Sequence, residues 1–257
     1  MTKTKVFHEL HHRDTPLVLP NAWDFGSAAM LVAEGFPAVG TTSLGVAAGA
    51  GLTDGAGVTR DETLTIATRL ARLSVPVTVD IEGGFSDDPG AVADYVARLA
   101  EIGIAGVNLE DGRTETSLAV PGQQAEVIAA IKAVAPEIFV NARIDTYWLQ
   151  LEQESTLSRA DAYARAGADG IFVPGLSDPA EIGAVVTAVP LPLNILYLTT
   201  GPSVAELAAL GVRRVSTGSL LYRAALAATV DIACAVRDGA PVAGGIPTYR
   251  DVQYHAR

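Results

Sequence analysis

Short runs of β-branched residues alternate with longer runs rich in alanine, leucine and arginine along almost the whole chain. The short runs predict strands, and the longer runs have the spacing of amphipathic helices. Eight such pairs follow one another, after one extra amphipathic helix at about 3–12. Eight alternating units predict a (β/α)8 TIM barrel, with a doubly wound sheet as the alternative.

The pattern also predicts where each element lies. The predicted strands are 17–19, 38–40, 77–80, 106–109, 138–142, 169–172, 193–196 and 213–216. The predicted helices are 24–34, 59–73, 89–102, 122–135, 153–166, 178–188, 202–210 and 218–237. We expect one domain over 1–257, because no linker or charge block interrupts the pattern.

Two segments have no clear period. The segment 238–257 is predicted to be a C-terminal tail, either on the surface or in contact with a neighbouring subunit. The connection 41–57 is rich in glycine. Its backbone amides could close on an anion, or it could be a plain flexible connection, and the sequence leaves both interpretations open.

Composition and charge exclude several kinds of protein. Hydrophobic residues make up 49% of the chain, which is enough for a large core. No stretch approaches the roughly 20 apolar residues of a membrane span, and the first residues lack the apolar core of a signal peptide. A single cysteine fits a cytoplasmic protein. The net charge of −11 argues against nucleic acid or an anionic membrane as a partner.

The positions of histidine and lysine narrow the chemistry further. All four histidines lie near the termini, so a histidine-ligated zinc site or a histidine base in the body of the fold is not expected. His11 and His12 are predicted to be solvated helix surface. The only lysine outside the first turns is Lys132, in a predicted helix. Enzymes that need a lysine Schiff base are therefore disfavoured.

Charged side chains follow the predicted third, fourth and fifth strands. They lie in Asp80-Ile81-Glu82, Asn108-Leu109-Glu110-Asp111 and Asn141-Ala142-Arg143-Ile144-Asp145. Strand residues two apart face the same side, so Asp80 and Glu82 are expected to point together. Acids gathered at the carboxyl ends of barrel strands repel one another unless a cation or proton intervenes. We therefore predict a site for a hard divalent metal, Mg²⁺ first, with Arg143 as the anchor for a small anionic substrate.

Simpler interpretations of the same residues exist. An aspartate at a strand end is often a helix N-cap, which is our interpretation of Asp178 and an open one for Asp24 and Asp111. Arg143 and Asp145 could form a purely structural salt bridge. The concentration of charge on three adjacent strands favours the metal and anion site over these interpretations.

Five motifs together resemble the isocitrate lyase/phosphoenolpyruvate mutase superfamily, in order from about 7 to 236. They are Pro20-Asn21-Ala22-Trp23-Asp24, Thr42-Ser43-Leu44-Gly45, Asp80-Ile81-Glu82-Gly83-Gly84-Phe85, Asn108-Leu109-Glu110-Asp111-Gly112 and Asn141-Ala142-Arg143. The resemblance implies a TIM barrel whose last helix is swapped between subunits of a dimer, usually within a homotetramer. It also implies Mg²⁺ or Mn²⁺ as the cofactor, and 2-oxo acids or their enolates as substrate or product.

The resemblance assigns the metal to three acids. Asp80 matches the acid that ligates the metal most directly, and Glu82 and Glu110 match acids that hold it, in part through water. Glu82 stands where an aspartate is commoner, and its extra methylene changes the reach of the carboxylate.

The resemblance also assigns substrate contacts. Thr42, Ser43 and Leu44 match a turn whose backbone amides and hydroxyl hold the substrate carboxylate. Asp54 matches a loop carboxylate near the substrate, and Arg143 matches the arginine that pairs with the substrate oxygens. Arg143, Asp54 and Glu110 are thus the predicted catalytic groups.

The segment after the fourth strand departs from the family pattern. The isocitrate and methylisocitrate lyases carry a Lys-x-Cys-Gly-His loop there, whereas 112–121 contains neither cysteine nor histidine. The leading hypothesis is a Mg²⁺-dependent lyase or decarboxylase that acts on a small 2-oxo acid or related diacid through an enolate. The alternatives are phosphorus–carbon chemistry, as mutase or phosphonate hydrolase, and binding of 2-oxo acids without turnover.

Overall fold

The computed structural model describes residues 1–242 and 244–255. The strands are β1 Leu17–Leu19, β2 Asn21–Ala22, β3 Val39–Thr41, β4 Val77–Asp80, β5 Gly106–Glu110, β6 Gly112–Thr114, β7 Ser117–Leu118, β8 Phe139–Arg143, β9 Gly170–Phe172, β10 Leu193–Leu196 and β11 Arg214–Ser216. The helices are α1 Lys3–Leu10, α2 Phe25–Ala33, α3 Ser43–Ala50, α4 Arg60–Leu70, α5 Pro89–Glu101, α6 Pro121–Val134, α7 Thr146–Leu149, α8 Thr156–Arg165, α9 Pro179–Ala188, α10 Val204–Ala209, α11 Leu220–Arg237 and α12 Tyr249–His255. A short 3₁₀ turn covers Gln153–Ser155.

The main sheet closes through the first barrel strand. Its parallel strands run in the order β1-β11-β10-β9-β8-β5-β4-β3-β2. Pro20 separates β1 from β2 and has no N–H to donate to the ladder. β1 pairs with β11 and β2 pairs with β3, so the two short strands act as one barrel strand that joins both ends of the sheet. The predicted TIM-barrel fold is confirmed.

The barrel strands have one aliphatic side and one polar side. Residues that face the helices, such as Val79, Val107 and Val140, belong to the main apolar core. The side chains on the other side of the strands point into the barrel, and they are buried and polar. They are Thr78, Asn108, Asn141, Asn194, Arg214 and Ser216. Two residues further along this inner side lie Asp80, Glu110 and Arg143, because strand side chains alternate with a period of two. The fold thereby carries a charged cluster to the carboxyl end of the barrel.

Helix α1 covers the opposite end of the barrel. Phe7 is fully buried and packs edge-on against Phe139, with the ring centroids 5.4 Å apart. Gly106 lies beneath this contact, where a Cβ would come within 2.8 Å of the Phe7 ring. His11 is also buried and stacks on Phe139, so the prediction that it is solvated is wrong, whereas His12 is exposed. Burial and the nearby charge of Arg214 lower the pKa of His11 to about 3.

Several short elements were not predicted. Helix α3 occupies the glycine-rich connection, a two-stranded hairpin of β6 and β7 follows β5, and α12 lies in the C-terminal tail, where it contacts α2. Ala243, Ala256 and Arg257 of that tail lie outside the described residues. No residue of α11 is buried. None of the helices in the described part of the chain is long and apolar enough to cross a membrane.

Candidate active site

A cavity of about 300 Å³ opens at the carboxyl ends of the barrel strands. It brings together nearly all of the residues predicted for the site, because the ends of parallel strands meet at one face of a barrel. The predicted residues that line it are Thr42, Ser43, Leu44, Asp54, Asp80, Glu110 and Arg143. Glu82 is the predicted site residue that does not line it.

Arg143 lies between two carboxylates in the cavity wall. Its Nη1 is 2.8 Å from Glu110 Oε2, and its Nε donates to Asp145 Oδ1 at 2.7 Å. Burial acts to lower the pKa of Arg143, but the carboxylates of Glu110 and Asp145 outweigh burial and raise it. The salt bridge between Arg143 and Asp145 that the sequence suggested is present. It fixes the guanidinium at the cavity rather than removing it, since both residues line the cavity.

The carboxyl groups of Asp80 and Glu110 have raised pKa values. Burial raises the pKa of Asp80 to about 6, against the opposing effect of Arg143. Burial likewise raises the pKa of Glu110 to about 8, again with Arg143 acting in the opposite direction. Asp80 Oδ1 accepts a hydrogen bond from the backbone N–H of Glu82 at 3.1 Å, and this contact orients the carboxyl group. Perturbed pKa values in a cleft are typical of catalytic or metal-binding acids.

Glu82 holds the loop beside the cavity. Its carboxylate accepts hydrogen bonds from the backbone N–H of Gly57 at 2.8 Å and from Thr59 Oγ1 at 2.6 Å. Strand β4 ends at Asp80, and Glu82 has a left-handed backbone with φ of 49°, so the alternation of strand side chains does not extend to it. Such a conformation costs a non-glycine residue about 1 kcal/mol or more and is common at functional sites. Glu82 thereby secures the loop that carries Asp54.

The N-terminus of α3 faces the cavity at Ser43 and Leu44. The first backbone N–H groups of a helix have no partner within the helix and attract anions. Thr42 is the N-cap residue, and its side chain makes no capping hydrogen bond, which leaves those groups free for a ligand. Gly45 lets this helix approach the barrel, because a Cβ there would lie 2.7 Å from the Cβ of Trp23.

Asp111 was not recognised as part of the site's support. It is fully buried and accepts hydrogen bonds from the Asp145 N–H at 2.8 Å, from Tyr163 Oη at 2.7 Å and from Arg159 Nη1 at 3.2 Å. The N-cap interpretation is therefore wrong for Asp111. It is confirmed for Asp24 and Asp178, whose side chains cap α2 and α9. No signal in the sequence pointed to this network, because Tyr163 and Arg159 lie on α8, about 50 residues from Asp111 along the chain.

A protein-family model described as phosphoenolpyruvate phosphomutase matches residues 7–237. The chain belongs to the isocitrate lyase/phosphoenolpyruvate mutase superfamily. An uncharacterised protein of Mycobacterium tuberculosis is 48% identical over 249 residues, which cover 96% of this chain and 94% of that protein. The oxaloacetate decarboxylase of Ectopseudomonas mendocina is 33% identical over 194 residues, which cover 70% of this chain and 66% of that enzyme.

A solved structure of phosphonopyruvate hydrolase in complex with oxalate and Mg²⁺ has the same fold as this chain. Its TM-score to this chain is 0.87 at 24% sequence identity, over 99% of this chain and 95% of that chain. The superfamily thus contains lyases and mutases on one barrel, and the resemblance found in the sequence motifs is confirmed.

The charge of the cavity fits the cation that the superfamily implies. Of the residues that the structure describes, five carboxyl groups and two guanidinium groups line the cavity, which leaves a formal excess of three negative charges when all are ionised. No three His, Cys, Asp or Glu side chains among the described residues are grouped closely enough to hold a metal by themselves. This donor set suits Mg²⁺, which is usually bound by one or two carboxylates together with water and substrate oxygens.

Proposed function

We propose that this protein is a Mg²⁺-dependent lyase or decarboxylase that acts on a small 2-oxo acid or a related diacid through an enolate. The observation that carries the proposal is the joint presence of Asp80, Glu110 and Arg143 in one cavity with the N-terminus of α3. Two carboxyl groups are suited to a hard cation, while a guanidinium and free backbone amides are suited to an anion. A 2-oxo acid suits such a cavity, because its oxygens can bind the cation while its carboxylate accepts hydrogen bonds from the guanidinium and the backbone amides.

In this proposal Asp80 and Glu110 bind the metal, and Glu82 contributes through a water molecule. Mn²⁺ is the alternative to Mg²⁺, since both take oxygen ligands. When bound, the cation supplies Lewis-acid stabilisation of the negative charge that develops on the substrate. Because burial raises the pKa values of Asp80 and Glu110, protons compete with the metal for these carboxyl groups.

The remaining residues bind the substrate and respond to its charge. The amides of Ser43 and Leu44, with the Thr42 and Ser43 hydroxyls, hold the substrate carboxylate. Arg143 donates to the substrate oxygen that becomes negative when a bond next to the carbonyl breaks. Because Glu110 and Asp145 hold Arg143 in place beforehand, little reorganisation is needed during the reaction. Asp54 is exposed at the mouth of the cavity, and we assign it to proton exchange there.

A second candidate function is phosphorus–carbon chemistry, as a phosphoenolpyruvate phosphomutase or a phosphonopyruvate hydrolase. The match to the phosphoenolpyruvate phosphomutase model over 7–237 favours it. A non-catalytic 2-oxo acid binding protein is the third candidate, and the loss of the cysteine loop after β5 favours that one. All three share the same metal and carboxylate contacts, so they differ in turnover and in products.

We also propose that the protein forms a homodimer or homotetramer, in the cytoplasm, by exchange of α11 between subunits. The support is that α11 contains no buried residue although it is the last helix of the barrel pattern. Leu226, Val230 and Val236 of this helix are 48%, 60% and 67% exposed. An apolar helix face of this kind is typical of a protein contact.

Product analysis tests the proposed function. The protein is incubated with Mg²⁺ and, separately, oxaloacetate, 2-methylmalate and phosphonopyruvate, and pyruvate, phosphate and phosphoenolpyruvate (the product of a mutase) are all measured. Pyruvate without phosphate, faster than with free Mg²⁺ alone, supports the lyase or decarboxylase. Pyruvate with phosphate from phosphonopyruvate supports the hydrolase. Oxalate binding without turnover of any compound would contradict both catalytic proposals.

A matched pair of variants tests the site. Asp80→Asn removes the proposed metal ligand with little change in volume and should abolish Mg²⁺-dependent activity. Asp61→Asn makes the same chemical change on exposed helix α4 and should leave activity intact. Mg²⁺-dependent activity that survives in Asp80→Asn would remove Asp80 from the metal site.

A further inference from the structure

Arg113 is the second guanidinium that lines the cavity, and no described residue offers it a carboxylate partner. It lies on β6, directly after the strand end that carries Glu110. No carboxylate of any described residue lies within 4.0 Å of its nitrogens, whereas Arg143 contacts two. A half-buried cation without a counter-charge is costly, and a bound anion would remove that cost.

The side chain of Arg113 is nevertheless held firmly. Its Nη1 donates to the backbone carbonyl oxygens of Glu110 and Gly112, each at 3.0 Å, and its Nη2 donates to Gln124 Oε1 at 2.7 Å. Gln124 is itself fully buried, and its amide group donates to the same carbonyl oxygen of Glu110 at 3.1 Å. These contacts use neutral acceptors and leave the Nε–H and one Nη2–H without an assigned partner.

The turn after β4 makes room for this guanidinium. A Cβ on Gly83 would lie 2.8 Å from Arg113 Nη1, so a side chain at that position would push the arginine aside. Asp145 lies beside Gly112 at the base of the hairpin, and its Oδ1 already accepts a hydrogen bond from Arg143. The guanidinium of Arg113 is therefore fixed at the cavity, and no carboxylate of the described residues pairs with it, an arrangement suited to a ligand's carboxylate.

We propose that Arg113 is a specificity-determining residue that binds the second, distal carboxylate of a dicarboxylic substrate. The inference rests on the proposed function, in which Arg143 and the α3 N-terminus hold the 2-oxo acid end. A monocarboxylic 2-oxo acid such as pyruvate has no group to neutralise Arg113. The substrate class is thereby narrowed to diacids that carry a carboxylate at each end.

Two ligands that differ in the distal carboxylate test the inference. Oxalate occupies the 2-oxo acid end alone, whereas 3,3-difluorooxaloacetate adds a distal carboxylate on a carbon that carries fluorine. Dissociation constants of both are measured by calorimetry with Mg²⁺ present, in the unaltered protein and in Arg113→Met. The loss of one hydrogen-bonded ion pair should weaken difluorooxaloacetate by about 10- to 100-fold. The dissociation constant of oxalate should change by less than about threefold, because oxalate occupies the 2-oxo acid end alone and has no distal carboxylate for Arg113.

Control variants separate recognition from folding. Arg165→Met makes the same substitution on the exposed face of α8 and should change neither constant. Arg113→Gln keeps an amide donor for the carbonyl oxygens of the hairpin, and it is measured in the same way if the methionine variant does not fold.

Equal weakening of both ligands, or of neither, would overturn the role of Arg113 and leave the proposed function standing. Failure of the unaltered protein to bind either ligand with Mg²⁺ would overturn the proposed function, and the inference with it.

Discussion

Replacement of Asp111 by asparagine should destabilise the protein by about 3 kcal/mol, because it breaks a buried charge pair. Asp111 is fully buried and Arg159 is 2% exposed, so neither charge can be rehydrated by water in the folded state. Among the described residues, Arg159 also pairs with the carboxylate of Glu152. The Glu152 side chain is 58% exposed, so it stabilises the charge of Arg159 less than Asp111 does. Asparagine keeps one oxygen for the Asp145 N–H but places an amide donor or a neutral oxygen opposite Tyr163 and Arg159.

Urea unfolding followed by circular dichroism measures this loss. Asp161→Asn is the matched control. Asp161 pairs with Arg165 at 2.6 Å on the exposed face of α8, the helix that also carries Arg159. An exposed pair contributes about 0.5 kcal/mol or less, so the control should unfold at nearly the same urea concentration as the parent protein. Equal midpoints for the Asp111 and Asp161 variants would refute the argument that the buried network carries stability.

Four further predictions concern metal affinity, the stability of the metal-free protein, the loop and the assembly. Mg²⁺ affinity should fall as pH falls from about 8 to 6, because protons compete with the metal for Asp80 and Glu110. The fall should be up to about tenfold per pH unit for each proton displaced. Calorimetry at several pH values measures it, and an affinity that does not change with pH would contradict the prediction. In the same window, metal-free protein should lose stability as pH rises, since raised carboxyl pKa values favour the protonated folded state. Thr59→Val removes a hydrogen bond to Glu82 and should speed proteolysis of the adjacent loop, whereas Thr68→Val on exposed helix surface should not. Leu226→Glu should lower the mass measured by light scattering if α11 is covered by a partner subunit, and an unchanged mass would argue against that contact.

The barrel and the convergence of its charged strand ends could be predicted from the sequence. The predicted β4 and β10 boundaries match the structure, and Asp80, Glu110 and Arg143 converge because parallel strands end at one face. Local alternation was sufficient for these residues because each remains within, or at the end of, a regular strand.

Other features depend on conformations that alternation does not encode. The left-handed turn at Glu82 redirects its carboxylate to Thr59, and no single residue type in Asp80-Ile81-Glu82-Gly83 signals this before the fold is known. Helix α3 is rich in alanine and glycine and lacks an amphipathic period, so its segment resembles a loop. The burial of His11 depends on a long-range contact with Phe139, which only the closed barrel creates.

The proposed function requires one divalent cation between Asp80 and Glu110, opposite Arg143. Anomalous diffraction from crystals grown with Mn²⁺ and oxalate tests it most directly, because manganese scatters anomalously and takes the same oxygen ligands as Mg²⁺. We predict one strong peak at about 2.0–2.3 Å from an Asp80 carboxylate oxygen, with oxalate between the metal and Arg143. A cavity without an anomalous peak, or a peak bound to other side chains, would contradict the account.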